Sequence, residues 1–328
     1  MVFLKYKMIK LIIHPGFVKT GTTYFQENIT PFIKNTINLG KPYELRNKLQ
    51  IDFKEFIYSK KKFSDIKIEL LANAMISLAR EKKIKTFLFS DESFLDYEFY
   101  NPKKNFDKIE KLIFSLKKKI KLKILILLTT RKQSNLVISR FAYLFPKFKK
   151  KNSKLINYVT KNIKEKSYFF ESLKYYSFAL YLEKKFNSKV IFLPLEVLET
   201  DINKYFKILK KIFKGNLKLK NYSLSKKNVN SKDNVFFLRK ENYWSKVYGY
   251  FFKIKKIFFK NNTEFIIFRN QLKKFLFKKI RYTPSEFVIQ LDKNTEKKIF
   301  KYFFEDNKKL YLSKKINYND MQNAKKFF

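Results

Sequence analysis

Three short stretches of this chain carry residues whose types and spacing suit the handling of an anion. The first is His14-Pro15-Gly16-Phe17-Val18-Lys19-Thr20-Gly21-Thr22-Thr23. Gly16 and Gly21 let the backbone curl so that its N–H groups point inward at one anion, and a helix that follows adds the positive end of its dipole. Lys19 supplies a mobile point charge, while Thr22 and Thr23 supply hydroxyl donors. The second stretch is Thr129-Thr130-Arg131, with Ser139 eight positions beyond Arg131. A guanidinium is a planar fork that grips a phosphate bidentately, and a serine hydroxyl adds a further donor. The third is Ser90-Asp91-Glu92, whose carboxylates can take a proton from a hydroxyl group. His14, the only histidine, ends an apolar run beneath the first loop. It reads as a brace in the core, and it has no partner at metal-ligand spacing.

The elements that must position these residues are legible as alternating apolar runs and helical patterns. Ile9 to Ile13, Thr86 to Phe89, Lys123 to Leu128 and Lys189 to Leu193 have the length and branching of buried strands. Each of the three chemical stretches follows directly on one of the first three. Helical periodicity runs over Tyr24 to Ile29, Ile66 to Arg80, Phe106 to Leu116 and Leu136 to Phe145, the last stopped by Pro146. A long aromatic-rich helix is predicted over Tyr168 to Phe186, and another over Asp201 to Phe213 with Thr200 or Asp201 as cap. Strands alternating with helices imply parallel pairing, with the ligand site at the carboxyl ends of the strands.

The wording of the first loop is specific. A Walker A loop reads G-x-x-x-x-G-K-[ST], with lysine directly after the second glycine. Here the four-residue gap is kept, but Lys19 precedes Gly21 and Thr22 stands in the usual lysine place. The string G-x-x-K-T-G-T-T, continuing Tyr24-Phe25-Gln26, resembles the 5′-phosphosulfate loop of sulfotransferases that use 3′-phosphoadenosine 5′-phosphosulfate (PAPS), in the bacterial, carbohydrate-directed branch. Arg131 and Ser139 match the positions that bind the donor's 3′-phosphate in that family. The resemblance covers roughly residues 8 to 215. Fainter matches lie at Leu193-Pro194-Leu195-Glu196-Val197-Leu198 and in the helix carrying Phe304 to Leu310, which looks like the closing helix of the bacterial enzymes. It implies an α/β fold: a three-layer parallel sheet of the P-loop NTPase type with helices on both faces and a mainly helical C-terminal cap. It further implies transfer of a sulfuryl group from PAPS to a hydroxyl acceptor, a carbohydrate or glycolipid, leaving adenosine 3′,5′-bisphosphate. Gly16, Lys19, Thr20, Gly21, Thr22, Thr23, Arg131 and Ser139 would bind the donor. Lys19 and Glu92 would be catalytic, Lys19 steadying the leaving phosphate and Glu92 taking the acceptor's proton, with Asp91 as the alternative base. No metal is expected in that reaction.

Composition bounds the remaining choices. The chain has 328 residues and a formal charge of +46, with 74 basic residues against 28 acidic ones. Arginine occurs only at 46, 80, 131, 140, 239, 269 and 281. Lysine, phenylalanine, tyrosine, isoleucine and asparagine are residues of A/T-rich codons, so codon drift accounts for much of the bias. A protein selected to read bases would use more arginine, and no sequence-specific nucleic-acid partner is expected. The charge still attracts polyanions at low salt and allows weak association with a membrane surface. The absence of cysteine excludes disulfides and cysteine-ligated metals. No apolar run approaches the roughly 18 residues of a membrane span, and no signal-peptide pattern opens the chain, so a cytoplasmic location is expected.

Beyond about residue 215 the character changes: 216–234 is polar and basic, with 226–233 reading as a loop, and the remainder is aromatic and lysine-rich with helical stretches. The expected organisation is an α/β core over 1–215 with a helical extension over 216–328 packed on it. Two other classes remain open. A P-loop kinase or NTPase would use Asp91 to hold Mg2+ with ATP, and a basic nucleic-acid-binding protein would use lysines and aromatic stacking.

Overall fold

Apolar runs with too few polar residues to tolerate solvent on either side become strands buried on both faces. In the computed structural model such strands are β1 (Ile9–His14), β3 (Thr86–Ser90), β4 (Leu122–Thr130) and β5 (Val190–Pro194), joined by a short, half-buried β2 (Thr36–Asn38). They form one sheet in the order β2-β3-β1-β4-β5, and every pairing in it is parallel. The structure describes residues 8–17, 19–41, 48–59, 63–95, 102–145, 154–214, 216–217, 231–232, 235–239 and 284–313. The chain divides into two units, neither contiguous in sequence. One comprises Met1–Leu136, Asn162–Lys227 and Ile299–Phe328, and the other Val137–Lys161 and Asn228–Lys298.

The first unit contains the parallel sheet. Connecting the strands are α1 (Thr22–Asn28), α2 (Lys48–Tyr58), α3 (Asp65–Glu81), α4 (Pro102–Lys117) and α5 (Gln133–Leu144). Further along come α6 (Leu155–Lys164), α7 (Tyr168–Ser172), α8 (Tyr175–Phe186), α9 (Leu195–Thr200) and α10 (Ile202–Phe213). Side chains alternate across a strand, so neighbouring residues report opposite faces of the sheet. Ile12, Leu88, Leu127 and Leu193 cluster with Phe25 of α1, Val197 of α9 and Leu209, Ile212 and Phe213 of α10. Phe89, one residue after Leu88, instead meets Phe53 of α2 with ring centroids 5.0 Å apart, and Phe94 at 5.3 Å. Phe94 packs on Phe106 of α4, which in turn reaches Phe178 and Phe186 of α8. Helices therefore cover both faces. β2 and α2 lie within a stretch that reads as merely polar and basic. Leu49, Phe53, Phe56 and Ile57 nonetheless keep helical spacing there and are buried.

The helix expected over Tyr168 to Phe186 is two helices, broken at Leu173 and Lys174. The break has a physical cause. Asp306 accepts hydrogen bonds from the backbone N–H groups of Tyr176 (2.9 Å) and Ser177 (3.0 Å), capping the start of α8 from a distant part of the chain. Asp306 belongs to the last helix, α11 (Lys293–Leu312). The next residue, Asn307, exchanges two hydrogen bonds with Gln133 at the start of α5 (2.7 and 3.1 Å). Both side chains are buried.

The second unit contains a three-stranded antiparallel sheet in the order β6-β7-β8: β6 (Ser231–Lys232), β7 (Val235–Arg239) and β8 (Pro284–Ile289). Phe141 stacks there against Tyr158 with centroids 5.4 Å apart. The described residues beyond 216 include this sheet as well as α11, where a mainly helical cap and a loop over 226–233 were expected. Val235-Phe236-Phe237-Leu238 and Phe287-Val288-Ile289 are β-branched and aromatic runs that favour a pleated surface.

Candidate functional site

The order of the strands itself marks a site. From β1 the chain goes to the edge strand β2 and returns to β3 beside β1, then crosses to β4 and β5 on the other side. In such open sheets ligands bind in the crevice at the carboxyl ends of the strands where the direction reverses. Here that is the gap between β1 and β4, and the loop after β1 and Arg131 after β4 both end in it.

The loop is held by its own residues. Thr20 Oγ1 donates to the carbonyl of Phe17 at 2.7 Å and pairs with Thr129 Oγ1 of β4 at 2.9 Å. That hydroxyl is engaged inside the protein, so the backbone N–H is what Thr20 offers a ligand. Lys19 adopts a left-handed backbone, φ 74°, uncommon for a residue with a side chain and a local strain. Gly21 also lies in that region, φ 79°, where glycine is at home, and a Cβ there would come within 2.6 Å of Leu195. A Cβ on Gly16 would lie 2.0 Å from Thr22 Cγ2, so the loop closes around a position that only glycine fits. Thr22 is buried, Lys19 half-buried and Thr23 exposed.

Arg131 comes to this loop directly. Its Nη1 donates to the backbone carbonyl of Lys19 at 3.3 Å. Three contacts fix the turn that carries it. Tyr175 Oη donates to the Arg131 carbonyl at 2.7 Å, and Glu196 Oε1 accepts from the N–H of Lys132 at 2.8 Å. The amide pair of Gln133 with Asn307 is the third. Burial pushes the Glu196 carboxyl above its ordinary range, against the N–H of Lys132 and the charge of Arg131. Its other oxygen, also buried, has no hydrogen-bond partner among the described residues. Ser139 is a buried residue in the second turn of α5 and falls in the second unit, whereas Arg131 falls in the first.

The carboxylates at the end of β3 are not bare. Lys41 Nζ lies 2.8 Å from Glu92 Oε1 and 3.2 Å from Asp91 Oδ1. Glu92 Oε2 accepts from Gln26 Nε2 of α1 at 2.9 Å. Asp91 accepts from Tyr58 Oη at 2.6 Å and from the N–H of Ser93 at 2.9 Å. Burial raises the Glu92 carboxyl, but the charge of Lys41 and the hydrogen bonds from Lys41 and Gln26 outweigh it and hold the pKa below the usual carboxylate range. Burial likewise opposes charge on Lys41, and the two carboxylates overcome it, so its pKa is raised. Glu92 is thus ionised at neutral pH and held in one orientation. Lys41 is marked by no motif; Gln26 continues the string of the first loop and Glu196 lies in one of the fainter matches, both without an expected role. Lys41 meets Glu92 across 51 positions of sequence, so no spacing rule finds the pair.

His14 is fully buried beneath the loop. Its Nδ1 is 2.8 Å from Ser90 Oγ and its Nε2 is 3.3 Å from Thr129 Oγ1. Burial drives its pKa down to about 3, so it is neutral and ties together β1, β3 and β4. Among the described residues no group of three or more His, Cys, Asp or Glu side chains is arranged to hold a metal ion.

No protein-family model matches the chain, and no curated protein matches it either. What this site does must be argued from its own groups. Among the described residues no helix is long and apolar enough to cross a membrane.

Proposed function

We propose that the protein is a sulfotransferase that moves the sulfuryl group of PAPS to a hydroxyl acceptor, on a parallel sheet of the P-loop type. The observation that carries this reading is the meeting of two anion-handling segments, 112 positions apart in sequence: the Arg131 guanidinium on the carbonyl of Lys19. A donor with phosphate groups at both the 3′ and 5′ ends of one ribose needs cations on two neighbouring strand ends, and Lys19 and Arg131 supply them. A displaced lysine before the second glycine, in place of the Walker A order, also favours this donor over Mg-ATP. So does Asp91, whose carboxylate is taken up by Tyr58, Ser93 and Lys41.

The donor supplies the activated sulfur, and the acceptor oxygen attacks it in line as the bond to the 5′-phosphate breaks. Lys19 balances the charge released on that phosphate. Glu92 accepts the acceptor's proton, and Lys41 and Gln26 keep its carboxylate oriented. The acceptor class, a carbohydrate or glycolipid hydroxyl, rests on the family resemblance of the first loop.

The deciding experiment is calorimetric binding of adenosine 3′,5′-bisphosphate against Mg-ATP, at salt sufficient to suppress loose lysine contacts. Bisphosphate should bind without Mg2+, and Arg131→Ala should weaken it about ten- to a hundredfold, the worth of one charge-assisted contact. Lys19→Ala should mainly slow turnover. A preference for Mg-ATP would overturn the proposal in favour of a kinase.

The pH dependence of kcat/KM tests the base. With Glu92 depressed by Lys41, the acidic limb should lie below the ordinary glutamate value of about 4.3. In Lys41→Met, burial acts on Glu92 without its counter-charge, so the limb should move upward past that value. An unmoved limb would remove Glu92 from the reaction.

A further inference from the structure

All five strands of the main sheet are parallel, so every connection from a helix into a strand ends on one edge, opposite the candidate site. The two connections flanking β1 carry the same tetrad. Lys82-Lys83-Ile84-Lys85 leads into β3 and Lys118-Lys119-Ile120-Lys121 into β4. Backbone hydrogen bonds hold these segments side by side: Lys85 N–H to Asn35 O (2.9 Å), Lys10 N–H to Lys85 O (2.9 Å) and Ile9 N–H to Lys121 O (3.0 Å). Residues 33–35, 82–85, 118–121 and 187–189 contain no carboxylate. Among the described residues only Lys119 of the two tetrads has an ion pair, with Glu69.

Lysines in the last turn of a helix are accounted for by the helix dipole. These tetrads begin after α3 and α4 have ended, and lysines continue into the strands at Lys10 and Lys123. Burial, then repulsion from Lys214 and Lys123, lowers the pKa of Lys10, whose ammonium donates to the Ile212 carbonyl at 2.6 Å. Like charges gathered on one edge, with Glu69 paired to Lys119 alone among the tetrads, call for an anionic surface to lie against. Two apolar side chains stand among them. Met8, directly before β1, is 55% exposed, and Phe114, in the last turn of α4 with the Lys118 ammonium 4.5 Å from its ring centroid, is 64% exposed.

We propose that this amino-terminal edge of the sheet docks on an anionic lipid membrane. Lysines, as compact hydrated charges, suit lipid headgroups, and Met8 and Phe114 reach the acyl boundary between them. A nucleic-acid backbone gives an exposed methionine and phenylalanine no apolar layer to bury into. The docking leaves the carboxyl edge, with its loop and Arg131, turned away from the bilayer.

Sedimentation with vesicles of phosphatidylcholine, with and without phosphatidylserine, tests this. The whole chain should bind only the phosphatidylserine vesicles, and high salt should weaken but not abolish the binding. The triple variant Lys82→Gln, Lys118→Gln, Lys121→Gln should lose about a hundredfold in affinity, at about fivefold per lysine. Lys301→Gln, Lys308→Gln, Lys309→Gln on α11 changes the net charge equally and should bind like the parent. Circular dichroism establishes that each variant is folded. Met8→Gln with Phe114→Gln should remove the salt-resistant remainder. Equal losses in the two triple variants, an unchanged salt-resistant remainder, or a parent that binds single-stranded RNA but not the vesicles would each overturn the proposal.

Discussion

Gly40→Ala is expected to destabilise the fold by about 3 kcal/mol or more, the upper range for forcing atoms into a packed interior. Gly40 follows β2 directly, and a Cβ there would sit 2.1 Å from the carbonyl oxygen of Ser90, with the Ser90 carbonyl carbon and amide nitrogen each at 2.6 Å. All three are backbone atoms, so no side-chain rotation relieves the clash. The close approach is the pairing itself: Leu39 N–H donates to Leu88 O at 2.7 Å and Lys41 N–H to Ser90 O at 2.9 Å. Relief must come from moving β2 away from β3, which also pulls Lys41 from Glu92. Thermal unfolding should show a midpoint lower by roughly 6–12 °C for a domain of this size. A midpoint within a degree or two of the parent would mean the two segments do not pack as described.

His14 should make the protein acid-sensitive well above the carboxylate range. Unfolded, its imidazole takes a proton near pH 6.5, while folded it stays neutral down to about 3. The unfolded state therefore binds more protons across that window. The contribution is complete above pH 6.5 and is lost progressively as pH falls towards 3, amounting to about 4–5 kcal/mol in all. Between pH 6.5 and 5 alone the loss is about 2 kcal/mol. The chain has one histidine and no cysteine, so little else titrates there. Glu92 is held below the usual carboxylate range by Lys41 and Gln26. Glu196, raised by burial, acts with the opposite sign, because the folded state holds its proton more tightly. Denaturant unfolding at pH 7 and pH 5 in a Glu196→Gln background isolates the histidine. Adding His14→Gln should lower stability at pH 7, since Ser90 and Thr129 lose a partner, yet flatten the pH dependence. A dependence just as steep without the imidazole would show that other groups carry it.

The parts of the fold legible in the sequence are those that local physics decides. β1, β3, β4 and β5 are unbroken apolar runs, and the loop after β1 and the arginine after β4 follow from residue type at a strand end. β2 has three residues, too few for any period to emerge. The break after Ser172 is invisible locally because its cap, Asp306, lies some 130 positions away. Lys41 reads as an ordinary surface lysine, and Gln26 and Glu196, though inside matched stretches, show no role until the chain folds Glu92 and Lys132 against them. One signal was available and is compositional. Only five glycines occur in 328 residues. Gly16, Gly21 and Gly40 each border the candidate site, and a Cβ on any of them would meet an atom at 2.6 Å or less. In a chain drifting away from glycine codons, the persistence of these three marks close approaches of the backbone, tightest at Gly40, where the atoms met are themselves backbone.

The clasp made by Asp306 and Asn307 sets a schedule for the molecule's birth. Gln133 leaves the ribosome 174 residues before the asparagine that pairs with it. At synthesis rates of about 5–20 residues per second, the turn bearing Arg131 waits roughly 10–35 s for its clasp. The sheet can assemble during that interval while α8 lacks its cap, so the nascent chain carries strands without a finished anion cradle. Ribosome-bound chains halted before residue 306 should accordingly be more open to protease around Ser172–Tyr176 than chains halted beyond α11.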